Sequence, residues 1–465
     1  MATYTQNMSE GRPSSLIVKF ALPLMSGNIF QQLYTVVDTI VVGKSLGVDA
    51  LAALGATDWT NWMMLGIIQG VTQGFAIMMA QEFGGGRMDS LKRVIVNSAV
   101  LSALFAVLLM ISGQIALKPL LVVLHTPEDI FGNAVLYLRI MFFGIPVVML
   151  YNLLACILRS MGDSKTPLNA MLVASVANIV LDLVFVLGFS WGIAGAAIAT
   201  VAAQLLSSLF CLYRLSSMKV LKFTRADFML RKMFYGQGRR MVKLLTLGLP
   251  MAFQNAIIAV GGMIVQLVVN DAGITFIAGF TATNKLYGLL EVAATSYGYA
   301  MVTYVGQNMG AGKAERIREG MRAAVVISLL TSVVITVVML VLGRTILSWF
   351  ISGTPEEVEQ AMKVAYFYLV IMSVFLPVLY ILHVTRSAIQ GMGNTLLPMI
   401  SGIVEFFMRT STALFLPRLV GENGIFFAEI LAWIGADIVL VISYFAVSRS
   451  MFREMGNTKA LKQNI

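Results

Sequence analysis

Long apolar stretches separated by short polar loops fill almost the whole chain. Read for uninterrupted hydrophobicity, the pattern predicts twelve spans, approximately 16–42, 52–82, 93–117, 130–157, 167–188, 192–213, 243–269, 275–308, 318–347, 358–385, 396–417 and 424–447. Each reaches the ~20 residues that an α-helix needs to cross the hydrocarbon core of a bilayer. The expected fold class is therefore an all-α integral membrane protein.

The loops repeat. Leu22-Pro23 returns as Leu249-Pro250, and Gln81-Glu82-Phe83-Gly84-Gly85-Gly86-Arg87 as Gln307-Asn308-Met309-Gly310-Ala311-Gly312-Lys313. Thr126-Pro127-Glu128 returns as Thr354-Pro355-Glu356, and Met161-Gly162-Asp163-Ser164-Lys165-Thr166-Pro167 as Met392-Gly393-Asn394-Thr395-Leu396-Leu397-Pro398. The order is kept and the offset stays between 226 and 231 residues. The twelve helices should thus form two pseudo-symmetric six-helix bundles, over 1–217 and 243–465, joined by a basic linker over 218–242. Six is even, so both copies share one orientation, related by an axis along the membrane normal.

Composition agrees: 58% of residues are hydrophobic and only 12% charged, which excludes an ordinary soluble domain. The net charge of +10 raises the question of nucleic-acid binding, and the placement of the charges answers it. Of 33 Lys and Arg, 25 fall before span 1, in alternate loops or in the tail, while the opposite loops hold five. The positive-inside rule then places both termini in the cytoplasm, and the nine basic residues from Arg214 to Lys243 at the anionic lipid surface rather than on nucleic acid. The first fifteen residues lack a short apolar core with a cleavage site, so no removable signal peptide is expected. Cys156 and Cys211 lie inside spans, against a disulfide framework or metal cluster.

Ionisable side chains at membrane depth are costly unless they face a cavity or a partner, which makes each a functional candidate. Asp38 lies in span 1. Asn178 and Asp182, four apart in span 5, share one face of that helix. Thr200 follows in span 6. At about 1.5 Å per residue, Asp38, Asp182 and Thr200 sit roughly 6, 9 and 12 Å from the outer ends of their spans. Two carboxylates, an amide oxygen and a hydroxyl at one level suit a monovalent cation, or a proton shared between the acids. Their repeat counterparts are Val265 or Gln266, Arg409, Ala413 and Ala432, so the set occurs once.

In the second half, Glu405 and Arg409 are four apart and can pair along one helix, with substrate contact as the alternative. Lys285 and Glu291 in span 8, with Asp58 at the repeat position of Lys285, suggest a network between the bundles or a substrate contact. Arg139, Glu429 and Asp437 have no partner assignable from sequence, and His383 and Arg386 read as interfacial. Pro23 and Pro250 match, as do Pro146 and Pro377; each deletes a helical hydrogen bond and marks a bending point. A Met- and Phe-rich wall, from 30 and 27 such residues, would accept varied apolar ligands.

These residues resemble a known family. Pro23 with Asp38-Thr39 and Gly43, Gln81 with the Gly84–Gly86 loop, Arg159-Ser160-Met161-Gly162-Asp163, and Asn178 with Asp182 are similar to the multidrug and toxic compound extrusion (MATE) transporters across essentially the whole chain. The resemblance implies two V-shaped bundles around a central drug cavity, in the cytoplasmic membrane of a bacterium, with export driven by inward H⁺ or Na⁺. It carries the cation site onto Asp38, Asn178, Asp182 and Thr200, with the Ala196 carbonyl as a further ligand, and an ion-linked bend onto Pro23. One subgroup has a Glu in span 7; here Met251-Ala252-Phe253-Gln254-Asn255-Ala256 has no acid, which departs from that pattern.

The expected function is a cation-coupled antiporter exporting amphipathic, often cationic compounds by alternating access, as a monomer without a cofactor. A flippase for lipid-linked oligosaccharides is the alternative; it would need several intramembrane cations for phosphates, which this chain lacks. An enzyme is not expected, because two isolated histidines and two isolated cysteines supply neither a nucleophile with its base nor paired metal ligands. A channel is disfavoured too, since no filter-like repeat is visible.

Overall fold

A computed structural model of the chain describes residues 5–218, 221, 237–351 and 354–463, so most of the basic linker lies outside the described residues. All regular structure among them is helical. Before the linker come α1 (Pro13–Leu46), α2 (Val48–Gly84), α3 (Met88–Val123), α4 (Glu128–Phe143), α5 (Ile145–Ser160), α6 (Lys165–Asp182), a π-helical turn (Leu183–Gly188) and α7 (Gly192–Ser216). After it come α8 (Gly238–Asn270), α9 (Ile274–Gly310), α10 (Ala314–Leu347), α11 (Pro355–Val374), α12 (Leu376–Gly391), α13 (Leu396–Val420), a 3-10 turn (Glu422–Phe426) and α14 (Phe427–Gln463).

Among the described residues, eight helices are long and apolar enough to cross a bilayer singly, and α4–α5 and α11–α12 are so as pairs bent by 47° and 48°. α1 and α9, of 34 and 37 residues, stand at predicted spans 1 and 8 and are each about 50 Å long. The two bends are the matched proline positions. Pro146 and Pro377 sit near the start of the second helix of each pair, where a missing N–H is harmless, and cannot continue the ladder of the first one. The duplication is also written in the backbone. Positive φ recurs at Gly86 (+69°) and Gly312 (+68°), at Gly162 (+83°) and Gly393 (+91°), and at Ser190 (+55°) and Gly421 (+86°).

α10 exposes Val326, Leu330, Val334, Val337 and Val341, a stripe at helical spacing suited to acyl chains rather than to water.

The chain divides into two compact units, Met1–Asn7 with Leu22–Ala252, and Met8–Ala21 with Phe253–Ile465. The start of α1 therefore belongs to the second unit and the start of α8 to the first. Within the first unit, α2 and α8 approach through glycines. A Cβ on Gly70 would lie 2.5 Å from the Ala252 Cα, and one on Gly74 2.4 Å from the Gly248 Cα. Gly74→Leu is expected to cost about 1–3 kcal/mol or more by overpacking, read as a lower thermal midpoint of the purified protein. Gly132→Ala, where a Cβ meets nothing within 4 Å, should leave the midpoint unchanged.

Within the second unit the amino-terminal arm is held by side chains of the Gln307–Lys313 repeat and the start of α10. Met8 is fully buried; its N–H donates to Gln307 Oε1 at 2.7 Å and its carbonyl accepts from Asn308 Nδ2 at 3.1 Å. Lys313 Nζ donates to the Ser9 carbonyl and Arg316 to that of Gly11, both at 2.9 Å. Hydrogen exchange of the Met8 amide, which is held by Gln307, reports release of this arm. Arg316→Ala removes a charged donor worth about 1.5–3 kcal/mol, so exchange of the Met8 amide is expected to quicken about tenfold or more.

Candidate functional site

In the first unit, α6 carries Asn178 and Asp182 on one face of its last two turns, 1% and 0% exposed. At Asp182 the helix stops being α-wound. The π-helical turn follows, with the Phe189 N–H donating to the Val184 carbonyl at 2.8 Å and the Trp191 N–H to that of Phe185 at 3.0 Å. Such wide turns recur where a helix must aim a functional group. Phe185 and Trp191 stack over this turn with ring centres 5.0 Å apart, and Phe189 joins them at 6.1 Å from Phe185.

Asp38, on α1, meets this face: its carboxyl group and that of Asp182 are within hydrogen-bonding reach. Two carboxylates so placed repel unless they share a proton or hold a cation. The surroundings supply no substitute. Both oxygens of Asp182, both polar atoms of Asn178 and Oδ1 of Asp38 are buried without a hydrogen-bond partner among the described residues. Unpartnered buried polar groups are rare and cost about 1–3 kcal/mol each, so the cluster is built to receive something. Its free atoms are mainly oxygens, which fits a proton or a hard monovalent cation carried as cargo.

Thr200 and Ala196 lie on α7, which packs along α6. The Thr200 hydroxyl donates to the Ala196 carbonyl at 3.1 Å, within its own helix, and keeps its lone pairs. A Cβ on Gly195 would lie 3.1 Å from the Phe185 carbonyl carbon, which brings the start of α7 against the π-helical turn. Pro23 lies inside α1, beside the Ala21–Leu22 junction where the chain passes from the second unit to the first. Its copy, Pro250, lies beside the Ala252–Phe253 junction, where α8 passes the other way.

The second unit has a different interior. Arg409, at the repeat position of Asn178, donates to Glu405 at 3.0 Å, to Glu429 at 2.6 Å and to the Ile258 carbonyl at 3.1 Å. Arg386 donates to the other Glu405 oxygen at 2.6 Å. The i, i+4 pair of Glu405 and Arg409 matches its spacing, and the interfacial reading of Arg386 is corrected. Glu429 has a partner, and Arg386 is a buried member of the network rather than an interfacial cation. Their partners lie on other helices, which no local spacing reveals. Glu291 pairs with His383 at 3.3 Å, and Lys285 is exposed. Ala413, at the repeat position of Asp182, is fully buried.

The comparisons with known proteins follow the same duplication. The model of the MatE family matches twice, over residues 23–184 and 250–414. The chain belongs to the MatE family. A probable multidrug resistance protein of Bacillus subtilis (strain 168), YpnP, is 28% identical over 462 residues, 98% of each chain. The probable multidrug resistance protein NorM of Thermotoga maritima is 25% identical over 435 residues, 91% of this chain and 89% of the relative. Among solved structures, a MOP superfamily transporter from Pyrococcus furiosus superposes with a TM-score of 0.87 at 22% identity, covering 98% of this chain and 99% of that one. This MATE protein is thus a multi-pass membrane transport protein with the family's all-helical fold.

Proposed function

We propose that this MATE protein is a cation-coupled antiporter that exports amphipathic, often cationic compounds by alternating access, driven by H⁺ or Na⁺. One observation carries the reading: Asp38 and Asp182 face each other in the first unit, beside Asn178, with buried oxygens that find no partner among the described residues. A proton or cation bound there neutralises the pair, and its loss restores two charges that a cationic compound can answer in turn. Differential affinity of the two access states for ion and compound does the coupling. Thr200 and the Ala196 carbonyl complete the ion's shell. Pro23 is the hinge through which α1 responds, placed where the chain changes units.

The names of the bacterial relatives, multidrug resistance proteins, support small amphipathic substrates. The loop charges support cytoplasmic termini in a bacterial cytoplasmic membrane. A flippase would use free intramembrane cations for phosphates, whereas Arg386 and Arg409 are engaged by Glu405 and Glu429. The testing experiment is ethidium efflux from proteoliposomes under an imposed proton gradient and, separately, an imposed sodium gradient. One of the two is expected to drive export above the rate without a gradient; export insensitive to both would remove the reading.

A further inference from the structure

The acids inside the second unit leave Lys285 alone. Glu291 is paired with His383 at 3.3 Å, and Glu405 and Glu429 are held by Arg386 and Arg409. No acid among the described residues pairs with Lys285, which is exposed. Yet this lysine is no loop residue. It stands about 16 Å, or three turns, along α9 from Ile274, in the helix at predicted span 8. Helices α10, α11 and α12 all pack against α9. Ala282, Thr283, Leu286 and Leu290 are buried in that packing, and the Thr283 hydroxyl donates to the Ala365 carbonyl of α11 at 2.8 Å. What stays exposed is a strip three or four residues apart: Ala278, Thr281, Lys285 and Leu289. Only Leu289 in it is large and apolar. The exposed stripe of α10 in the same unit, from Val326 to Val341, is apolar throughout. Acyl chains accept a face of the α10 kind, while an ammonium among them is costly. The α9 strip therefore faces water. At the repeat position in the first unit, Asp58 on α2 is exposed as well and has the opposite sign. Packing asks for no charge at either place.

We propose that Lys285 is a specificity-determining residue of the exporter. Its ammonium receives a carboxylate of the compound carried, so the substrates include amphipathic molecules that bear an anion as well as a cation. The purpose rests on the antiport reading, and the second charge goes beyond it. An ammonium is a point charge with three N–H donors, which suits a single carboxylate. A diphosphate would ask for several cations together. One lysine does not supply them, so lipid-linked saccharides stay outside this reading. The arginines of the same unit cannot take the role, because Arg386 and Arg409 are buried and already hold acids.

The test compares two dyes that differ in one group. Rhodamine B carries a fixed positive charge and a carboxylate; its ethyl ester keeps the cation and lacks the anion. Binding of each to the purified full-length protein is read by fluorescence polarisation at neutral pH. Lys285→Gln is expected to weaken rhodamine B about tenfold more than the ester, the effect of losing one charge-assisted hydrogen bond. Lys285→Arg keeps a cation and should restore most of that difference, while Lys285→Glu should enlarge it. The residue is exposed, so the fold should tolerate all three. Where the glutamine variant does not fold, the arginine and glutamate variants carry the same contrast. A Lys285→Gln variant that weakens both dyes alike, or neither, would overturn the proposal. So would a parent protein that does not bind rhodamine B. Ethidium has no carboxyl group and tests antiport under the two gradients on its own, so either reading can fail without the other.

Discussion

Asp182→Asn is expected to lower gradient-driven export about 5- to 150-fold, the span of coupling free energies of about 1–3 kcal/mol. The substitution keeps the volume of a fully buried side chain, so the helix and its packing should survive. What disappears is the charge that an ion must neutralise. Asp38→Asn should fall by the same order, and the double variant should fall no further, because the two carboxyl groups act as one site. Initial rates of ethidium efflux from proteoliposomes, at matched protein content, read all three. Losses that multiplied in the double variant would mean that the two acids work separately.

The largest effect on stability is expected from Arg409→Ala. Arg409 is 5% exposed, and its guanidinium holds Glu405, Glu429 and the Ile258 carbonyl, joining α8, α13 and α14. Removing it leaves two acids buried with one remaining cation, Arg386. Breaking such a pair costs about 3–5 kcal/mol, a large part of the stability of most domains. The variant should lose its monodisperse gel-filtration peak after extraction, or unfold at a far lower temperature. Adding Glu429→Gln removes one stranded charge and should restore part of the midpoint. A variant as stable as the parent would show the network to be dispensable.

The duplicated loops predicted much of this architecture because backbone geometry follows local sequence. Matched glycines adopt matched positive φ, and matched prolines produce bends within a degree of each other. Helical spacing likewise placed Asn178 with Asp182 and Glu405 with Arg409. Contacts between distant helices were less legible. A shared depth put Asp38 and Asp182 at one level, but only the folded unit brings their carboxyl groups together. Arg386 with Glu405, and Arg409 with Glu429, are 19 and 20 residues apart on different helices, and no periodicity joins them. The π-helical turn after Asp182 has no signature in a run of Leu, Val and Phe. Nor did the sequence reveal that the ends of α1 and α8 change units, although the two prolines beside those junctions are its trace.

The second unit also modifies the asymmetry read from the repeat. The acid pair itself occurs once, since Ala413 replaces Asp182 and Arg409 replaces Asn178. Yet carboxyl groups are not confined to the first unit; in the second they come from other positions and are held mainly by arginine.

Competition between ion and compound at Asp38 and Asp182 is the central claim, and equilibrium binding reads it directly. Ethidium binding to the purified protein is measured by fluorescence polarisation across a pH series and a sodium series. Removing the driving ion should tighten ethidium binding about tenfold or more in the parent protein, and the combined Asp38→Asn and Asp182→Asn variant should not respond. Binding that ignores both ions in the parent, or responds equally in the variant, would contradict the account.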